Sequence, residues 1–252
     1  MTTSIEQVDA AVIVALSLEA SPICDLLSGL VRLRGSGAKI AVGTIGASTV
    51  AVIEGGVGRA AAEHATLLAI DGHRPRRIIA AGLCGALDPA LPRGAVVVPA
   101  RLGRVGTSET RAVAPLPGVD ASSEASVVTM LLTGNAIVGT PEARRSLRET
   151  TGAAAIDMES WWIAGIAAEA GIPCHVVRGV SDSATDTIAQ DVAALAAITS
   201  PARQAGAAMR LVWRRPSAIG ELAELRESAH RAADTVANSL VRSLGATTPL
   251  RS

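Results

Sequence analysis

The stretch AIDMESWWIAGIAAEAGIPCHVVRGVSD, residues 155–182, decides how the chain folds. Residues 153–157 form a short aliphatic run, read as a buried strand. From about Glu159 to Ala170 the spacing is helical, and Gly171 followed by Pro173 stops the helix. CHVVRGV (174–180) is a further strand, and it carries a charge, Arg178, near its end. An unpaired charge there is expensive. Asp157, Glu159, Arg178 and Asp182 therefore emerge at the ends of two strands that are consecutive in the chain and expected to be neighbours in a sheet.

Outward from this unit the same alternation continues. AAVIVAL (10–16) reads as a buried strand, and KIAVGTIGASTVAVIEG (39–55) as a hairpin with Gly46 in its turn. Arg59 to Asp71 has helical spacing, RRIIAAG (76–82) and GAVVVPA (94–100) are strands, and Thr140-Pro141-Glu142 starts a helix that runs to about Thr150. Residues 201–213 are expected to be mostly helical. After Pro216, the residues Leu222, Leu225, Ala229, Val236, Leu240 and Leu244 recur at helical spacing, an amphipathic C-terminal helix. The pattern predicts one α/β domain with a mixed, mainly parallel central sheet flanked by helices. The expected division is a body over 1–215, then a C-terminal helix and tail over 216–252.

Composition narrows the function classes. Hydrophobic residues make up 49% of the 252 and charged residues only 18%, which suits a well-buried interior. The formal net charge is zero, so no electrostatic case arises for nucleic acid. Cys24, Cys84 and Cys174 lie far apart, so neither a disulfide framework nor a zinc knuckle is indicated. No leader-like segment and no bilayer-length apolar run is found, and the expected location is the cytoplasm. Whether the C-terminal helix touches a membrane is left open.

Several residues stand out as site candidates. GGVGRAA (55–61) fits a Gly-rich turn before a helix, but a hairpin precedes it and no acid follows about 20 residues on, against a dinucleotide site. A turn that brings the N–H groups of Gly56 and Gly58 near a sugar, water or anion fits better. Gly82 and Gly85, in AAGLCGAL, let backbone approach something closely. Cys84 lacks a local cation to activate it and reads as a buried apolar residue. Glu19, just past the first strand, reads in isolation as a solvated charge or a cap. Ser181 and Asp182 are either helix caps or site groups, and the cap reading leaves Arg178 without a partner. Carboxylates with one Arg, and no His, Cys or Ser triad, suit a sugar or nucleoside: one carboxylate accepts from a cis-diol and another acts as general acid. His175 is the sole histidine nearby, in mid-strand, so no metal is expected.

These motifs resemble the nucleoside phosphorylase and methylthioadenosine/S-adenosylhomocysteine nucleosidase superfamily from about residue 10 to about 200. The most specific pieces are 155–182, AAGLCGAL…L…GAVVV (80–98), GGVGRAA and ALSLEA. The DMES form and the helix beyond Pro216 are similar to a hopanoid-associated branch that removes adenine from adenosylhopane. The resemblance implies that Glu159 accepts from the ribose 2′- and 3′-hydroxyls and that Met158 packs on the sugar. It implies that Asp182 protonates purine N7 with a carboxyl pKa raised by partial burial, that Ser181 holds Asp182, and that Glu19 positions or deprotonates water. Arg178 would steady Glu159 and the nucleophile, with Asp157 a supporting or strand-end charge. No cofactor is implied, and a homo-oligomer, a dimer in the first instance, is expected.

Departures bear on the reaction. Phosphorylases of this family hold phosphate with an Arg and a Ser where this chain has Ala80 and Leu83, which favours water over phosphate; Arg59 or Arg34 is the available substitute. The stacking Phe is replaced by the aliphatic pair Ile137 and Val138. Trp161 and Trp162 are core, a subunit interface or a wall for a lipid-like 5′ substituent. Three readings stay open: a nucleosidase acting on a 5′-substituted adenosine, a purine nucleoside phosphorylase, and a non-catalytic nucleoside-binding protein.

Overall fold

The computed structural model describes residues 7–35, 37–119, 125–188 and 218–245. In chain order its elements are β1 (Ala10–Val14), α1 (Ser17–Asp25), β2 (Ser28–Gly35), β3 (Ala38–Ile45), β4 (Ser48–Glu54), α2 (Arg59–His73), β5 (Ile78–Ala86), β6 (Val96–Arg104), β7 (Thr110–Ala112), β8 (Ala125–Thr133), α3 (Pro141–Thr151), β9 (Ala155–Asp157), α4 (Ser160–Glu169), β10 (Cys174–Asp182) and α5 (Ala218–Gly245). The expected helix over 201–213 and the 215/216 division lie outside the described residues.

All ten strands join one sheet, in the order β10-β6-β8-β9-β5-β1-β4-β3-β2 with β7 beside β6. Because β10 also pairs with β5, the strands β5, β9, β8, β6 and β10 close into a ring, and β1, β4, β3 and β2 extend from it as an open wing. The sheet is mixed. β1 runs parallel to β4 and β5, and β10 runs parallel to β5, whereas β9 runs antiparallel to β5. Strands β9 and β10 are thus not neighbours, contrary to the sequence expectation: each pairs with β5, on opposite sides. Their ends still converge, because Gly82 and Gly85 of β5 lie in register with Arg178 and Asp182 of β10.

The period-two alternation of the strands divides the core into two layers. On β1, Ala11 and Ile13 pack with Ala62, Ala65 and Ala69 of α2 and Ile163, Ala164 and Ala167 of α4. Ala10, Val12 and Val14 face the other way, to Ala20 and Ile23 of α1 and Val236, Leu240 and Leu244 of α5. The C-terminal helix is therefore part of one core layer. Leu240 and Leu244 are wholly buried, a burial typically worth about 1.5–3 kcal/mol each. Farther up the same helix, Ser228 donates a hydrogen bond to the carbonyl of Ser181 on β10.

Local chemistry sets the ends of the elements around the site. Thr140 caps α3, accepting from Ala143 N at 3.3 Å, with Pro141 at the first helical position. Gly152 closes α3 in the left-handed conformation (φ 71°), and Gly171 follows α4 in the same region (φ 68°).

Candidate active site

The site is built around one buried arginine in the middle of β10, opposite Gly82 of β5. Arg178 is 1% exposed. Its Nη2 meets Asp157 Oδ2 at 2.9 Å, its Nη1 lies 3.9 Å from Glu159 Oε2, and Nη1 also donates to Ala81 O at 3.3 Å. Both Nε and Nη2 donate to Ser160 Oγ, at 3.1 and 3.0 Å. Asp157, at the end of β9, is pinned in turn: Thr133 donates to Oδ1 at 2.7 Å, and Ser160 N to Oδ2 at 3.2 Å. The resemblance implies that Arg178 steadies Glu159 and the nucleophile. In the structure its short ion pair is with Asp157, and Glu159 is the looser neighbour.

Glu159 sits at the N-cap position of α4, and its backbone turns the carboxylate towards the Gly-rich loop. Gly58 N donates to Glu159 Oε1 at 2.8 Å. The loop 55–58 thus presents its N–H to an anion of the chain itself. Gly56 N is used on Ala15 O. Burial pushes the Glu159 carboxyl up to about 7, against the pull of Arg178 and the Gly58 N–H, with Asp157 and Glu19 adding to the rise.

Glu19 is 4% exposed, not a solvated charge. Its Oε2 accepts from Ala15 N at 2.8 Å and Leu16 N at 2.9 Å, which caps the start of α1. Its Oε1 reaches across to Leu83 N at 2.8 Å. Leu83 therefore enters the site through its backbone. Burial raises the Glu19 pKa, opposed by Arg178 and by the three N–H donors. Burial alone would pull the Arg178 pKa down, but Asp157, Glu159 and Glu19 outweigh it and the net shift is upward.

Two glycines of β5 make this proximity possible. Gly82 has φ +142°, and a Cβ on it would lie 2.6 Å from both Arg178 Nη1 and Glu19 Oε1. A Cβ on Gly85 would lie 2.7 Å from Asp182 Oδ2. Cys84, between them, is buried, and burial pushes its thiol pKa up, which suits an inert residue.

Asp182 lies past a bulge in β10 and is buried. Ser181 Oγ donates to Asp182 Oδ1 and lies 3.2 Å from Cys84 O. Asp182 Oδ2 is ion-paired with Arg144 of α3, a residue the sequence did not single out. To the burial that the resemblance implies for Asp182 the structure adds a counter-ion, Arg144.

The remaining candidates are placed less centrally. Met158 is half-buried beside Glu159. Ile137 (37% exposed) and Val138 line a cavity of about 430 Å³ with Ile156, Trp162, Thr133, Arg59 and Arg104 among its walls. Trp161 and Trp162 are buried under cations: Arg59 lies 4.3 Å from the Trp162 ring centroid, and Arg111 lies 4.5 Å from that of Trp161. His175 is buried against the carbonyls of Ala114 and Pro115. Ser160, Thr133 and Ser228 were also missed; only Ser160, inside the DMES motif, was within reach of a motif reading. Among the described residues no cluster of His, Cys, Asp and Glu is arranged to hold a metal, and no helix is long and apolar enough to cross a membrane.

The family model of the phosphorylase superfamily matches residues 9–214, most of the chain. The chain belongs to the phosphorylase superfamily. A curated relative, the 5′-methylthioadenosine/S-adenosylhomocysteine nucleosidase of Shewanella sp. (strain W3-18-1), is 25% identical over 174 residues, 60% of this chain and 75% of its own. Among solved structures, the nucleosidase of that name from Neisseria meningitidis, in complex with methylthio-immucillin-A, superposes with a TM-score of 0.72 at 16% identity, covering 94% of this chain and 99% of its own. The futalosine hydrolase of Helicobacter pylori strain 26695 superposes with a TM-score of 0.67 at 16% identity, covering 95% and 97%. Both solved structures thus share the fold over most of the chain at low identity.

Proposed function

We propose that the protein is a nucleosidase that releases adenine from a 5′-substituted adenosine. The observation that carries this is the buried set Glu19, Glu159 and Arg178, with Asp182 a short way along the same strand. The named activity of the Shewanella relative supports the same reading.

The chemistry follows from what such a bond needs. As C1′–N9 breaks, its electron pair leaves with the purine, and the ribose becomes oxocarbenium-like. The anionic carboxylates of Glu159 and Glu19 favour that cation. Asp182, ion-paired in the resting enzyme, takes a proton from solvent as the substrate binds and passes it to N7, so the base departs neutral. Water adds its oxygen to C1′ and passes a proton to Glu19. Glu159, with one oxygen on the Gly58 N–H, keeps lone pairs for the 2′- and 3′-hydroxyls, and Met158 packs on the sugar. Ser181 orients Asp182, while Ile137 and Val138 offer aliphatic faces to the base. Proton transfer of this kind is typically worth about 10²–10⁴ in rate.

Water as nucleophile is favoured over phosphate by the state of the cations. Ala80 is wholly buried, and Leu83 gives its N–H to Glu19. Every nitrogen of Arg178 already has a protein partner, which leaves it no free N–H pair for bidentate capture of a phosphate. Arg59 is engaged with Glu63 at 2.9 Å. For the 5′ substituent, the DMES motif supports an apolar group such as the hopane skeleton. A homodimer is part of the proposal, supported by the exposed apolar side chains Leu67, Val105 and Ile137.

The test is Asp182→Asn, assayed for adenine release and for binding of a non-cleavable nucleoside analogue. The amide is nearly isosteric but has no acidic proton to give, so binding should stay within a few-fold and turnover should drop about 10²-fold or more. Turnover within a few-fold of wild type removes Asp182 from the acid role.

A further inference from the structure

Arg144 is 1% exposed, and it is the one buried residue of the otherwise polar helix α3. Its guanidinium draws together three segments that meet at the site. Nε donates to Val138 O at 2.9 Å, and Nη1 donates to Ser183 O at 2.8 Å and to Ala86 O at 3.3 Å. These carbonyls are neutral. Whenever Asp182 is ionised, at rest and again after proton transfer, its ion pair with Nη2 supplies the counter-charge that a buried guanidinium needs. Arg93, another cation that feels the Asp182 charge, is engaged with Asp186 at 2.8 Å.

Resting on the nucleosidase reading above, we propose that Arg144 is the positioning residue for Asp182: it fixes the carboxyl plane and takes up the negative charge that stays on Asp182 once its proton has passed to the base. Two contacts define that plane. Oδ2 is held between Arg144 and the bare backbone of Gly85, where a side chain would collide. Oδ1 receives the Ser181 hydroxyl, and Ser181 is itself braced through its carbonyl by Ser228 of α5. A carboxyl fixed at both oxygens reaches the base in one orientation, as an orienting partner does for any proton-transfer group. The bond made is N7–H and the bond lost is the Asp182 O–H. The charge created on the protein in that step falls within the Arg144 ion pair.

Arg144 touches the wall of the base site only through the Val138 carbonyl, and its one charged partner is Asp182. It should therefore act on kcat more than on KM. The experiment compares wild type, Arg144→Met, Arg144→Lys, Asp182→Asn and the double Arg144→Met/Asp182→Asn in adenine release from 5′-methylthioadenosine. Circular dichroism and thermal unfolding verify that each variant folds, and dissociation constants for 9-deazaadenosine give a readout free of turnover. Arg144→Met should lower kcat about 10²-fold with KM within about threefold. The double variant should be no slower than Asp182→Asn alone, since contacting groups in one chain of action are not additive. Arg144→Lys, which keeps the charge near Asp182 but not the fan of carbonyl bonds, should recover to within about tenfold of wild type.

Full additivity of the two losses, equal damage to KM and kcat, or a lysine variant no better than methionine would each overturn the proposal in favour of a purely structural arginine. If Arg144→Met does not fold, the lysine variant alone decides. An Asp182→Asn enzyme as fast as wild type sinks the underlying acid assignment instead. An impaired Asp182→Asn beside an unimpaired Arg144→Met sinks only the role of Arg144.

Discussion

Glu159→Gln should remove the acid limb of the pH–rate profile, and the structure sets where that limb lies. Burial drives the Glu159 carboxyl up to about 7, with Arg178 and the Gly58 N–H opposing. If the ribose diol needs an anionic acceptor, the competent fraction of free enzyme rises from about a tenth at pH 6 to about nine tenths at pH 8. kcat/KM for a 5′-substituted adenosine should therefore climb about tenfold across that range, with a midpoint about 7. The glutamine variant has a lower plateau and no such climb. A 2′-deoxy analogue, which leaves one hydrogen bond unmade, should lose rate in wild type and much less in Glu159→Gln. Stability moves the other way. A carboxyl whose folded pKa lies above its unfolded value contributes stability that is full below about 4.5 and lost as pH rises through about 7. Urea denaturation at pH 8 should then find Glu159→Gln more stable than wild type, by at most about 3 kcal/mol, and the two equal near pH 4.5. A midpoint below about 5.5, or an acid limb that survives in the glutamine variant, would refute the assignment of this limb to Glu159.

Other perturbations test the frame around that carboxylate. Gly82→Ala forces a methyl to within 2.6 Å of Arg178 and Glu19 at φ +142°, so unfolding titrations should show a loss of about 2–4 kcal/mol, and adenine release should fall to background. Arg178→Met leaves Asp157 buried without its cation, and a loss of about 3–5 kcal/mol in urea is expected, whereas Arg59→Met on the rim should unfold within about 1 kcal/mol of wild type. Leu240→Ala, in the layer between α5 and the sheet, should cost about 2–5 kcal/mol, which shows that the C-terminal helix is part of the folded body.

Charge in the wrong place was the legible signal. Arg178 inside CHVVRGV and the acids of AIDMES stand against apolar surroundings, and each is a member of the buried cluster. Gly82 and Gly85 were legible for a related reason, since only a missing side chain admits two strands' charged groups so closely. Partner choice was not legible. Asp157 takes the short contact with Arg178 because Thr133 and Ser160 hold it, while Glu159 turns to Gly58, and the sequence does not encode that competition locally. Nor was the interposition of β5 between β9 and β10, which is a property of the ring. Strand β2 was obscured because SGLVRLRG mixes arginines into its alternation, whereas β8 was legible, since ASVVTMLLT is an apolar run bounded by Ser122-Ser123 and Gly134-Asn135. Arg144 was hidden by the polarity of α3; the signal available was its place three residues before Leu147, which packs on the core.

Product analysis on wild-type protein tests the central claim most directly. The protein is incubated with 5′-methylthioadenosine and with adenosines carrying bulkier apolar 5′ groups, in buffer with and without phosphate, and both products are identified. The account predicts free adenine and the free 5′-substituted ribose at the same rate in either buffer. A strict phosphate requirement with a ribose 1-phosphate product, or tight binding of every analogue with no base released, would contradict it.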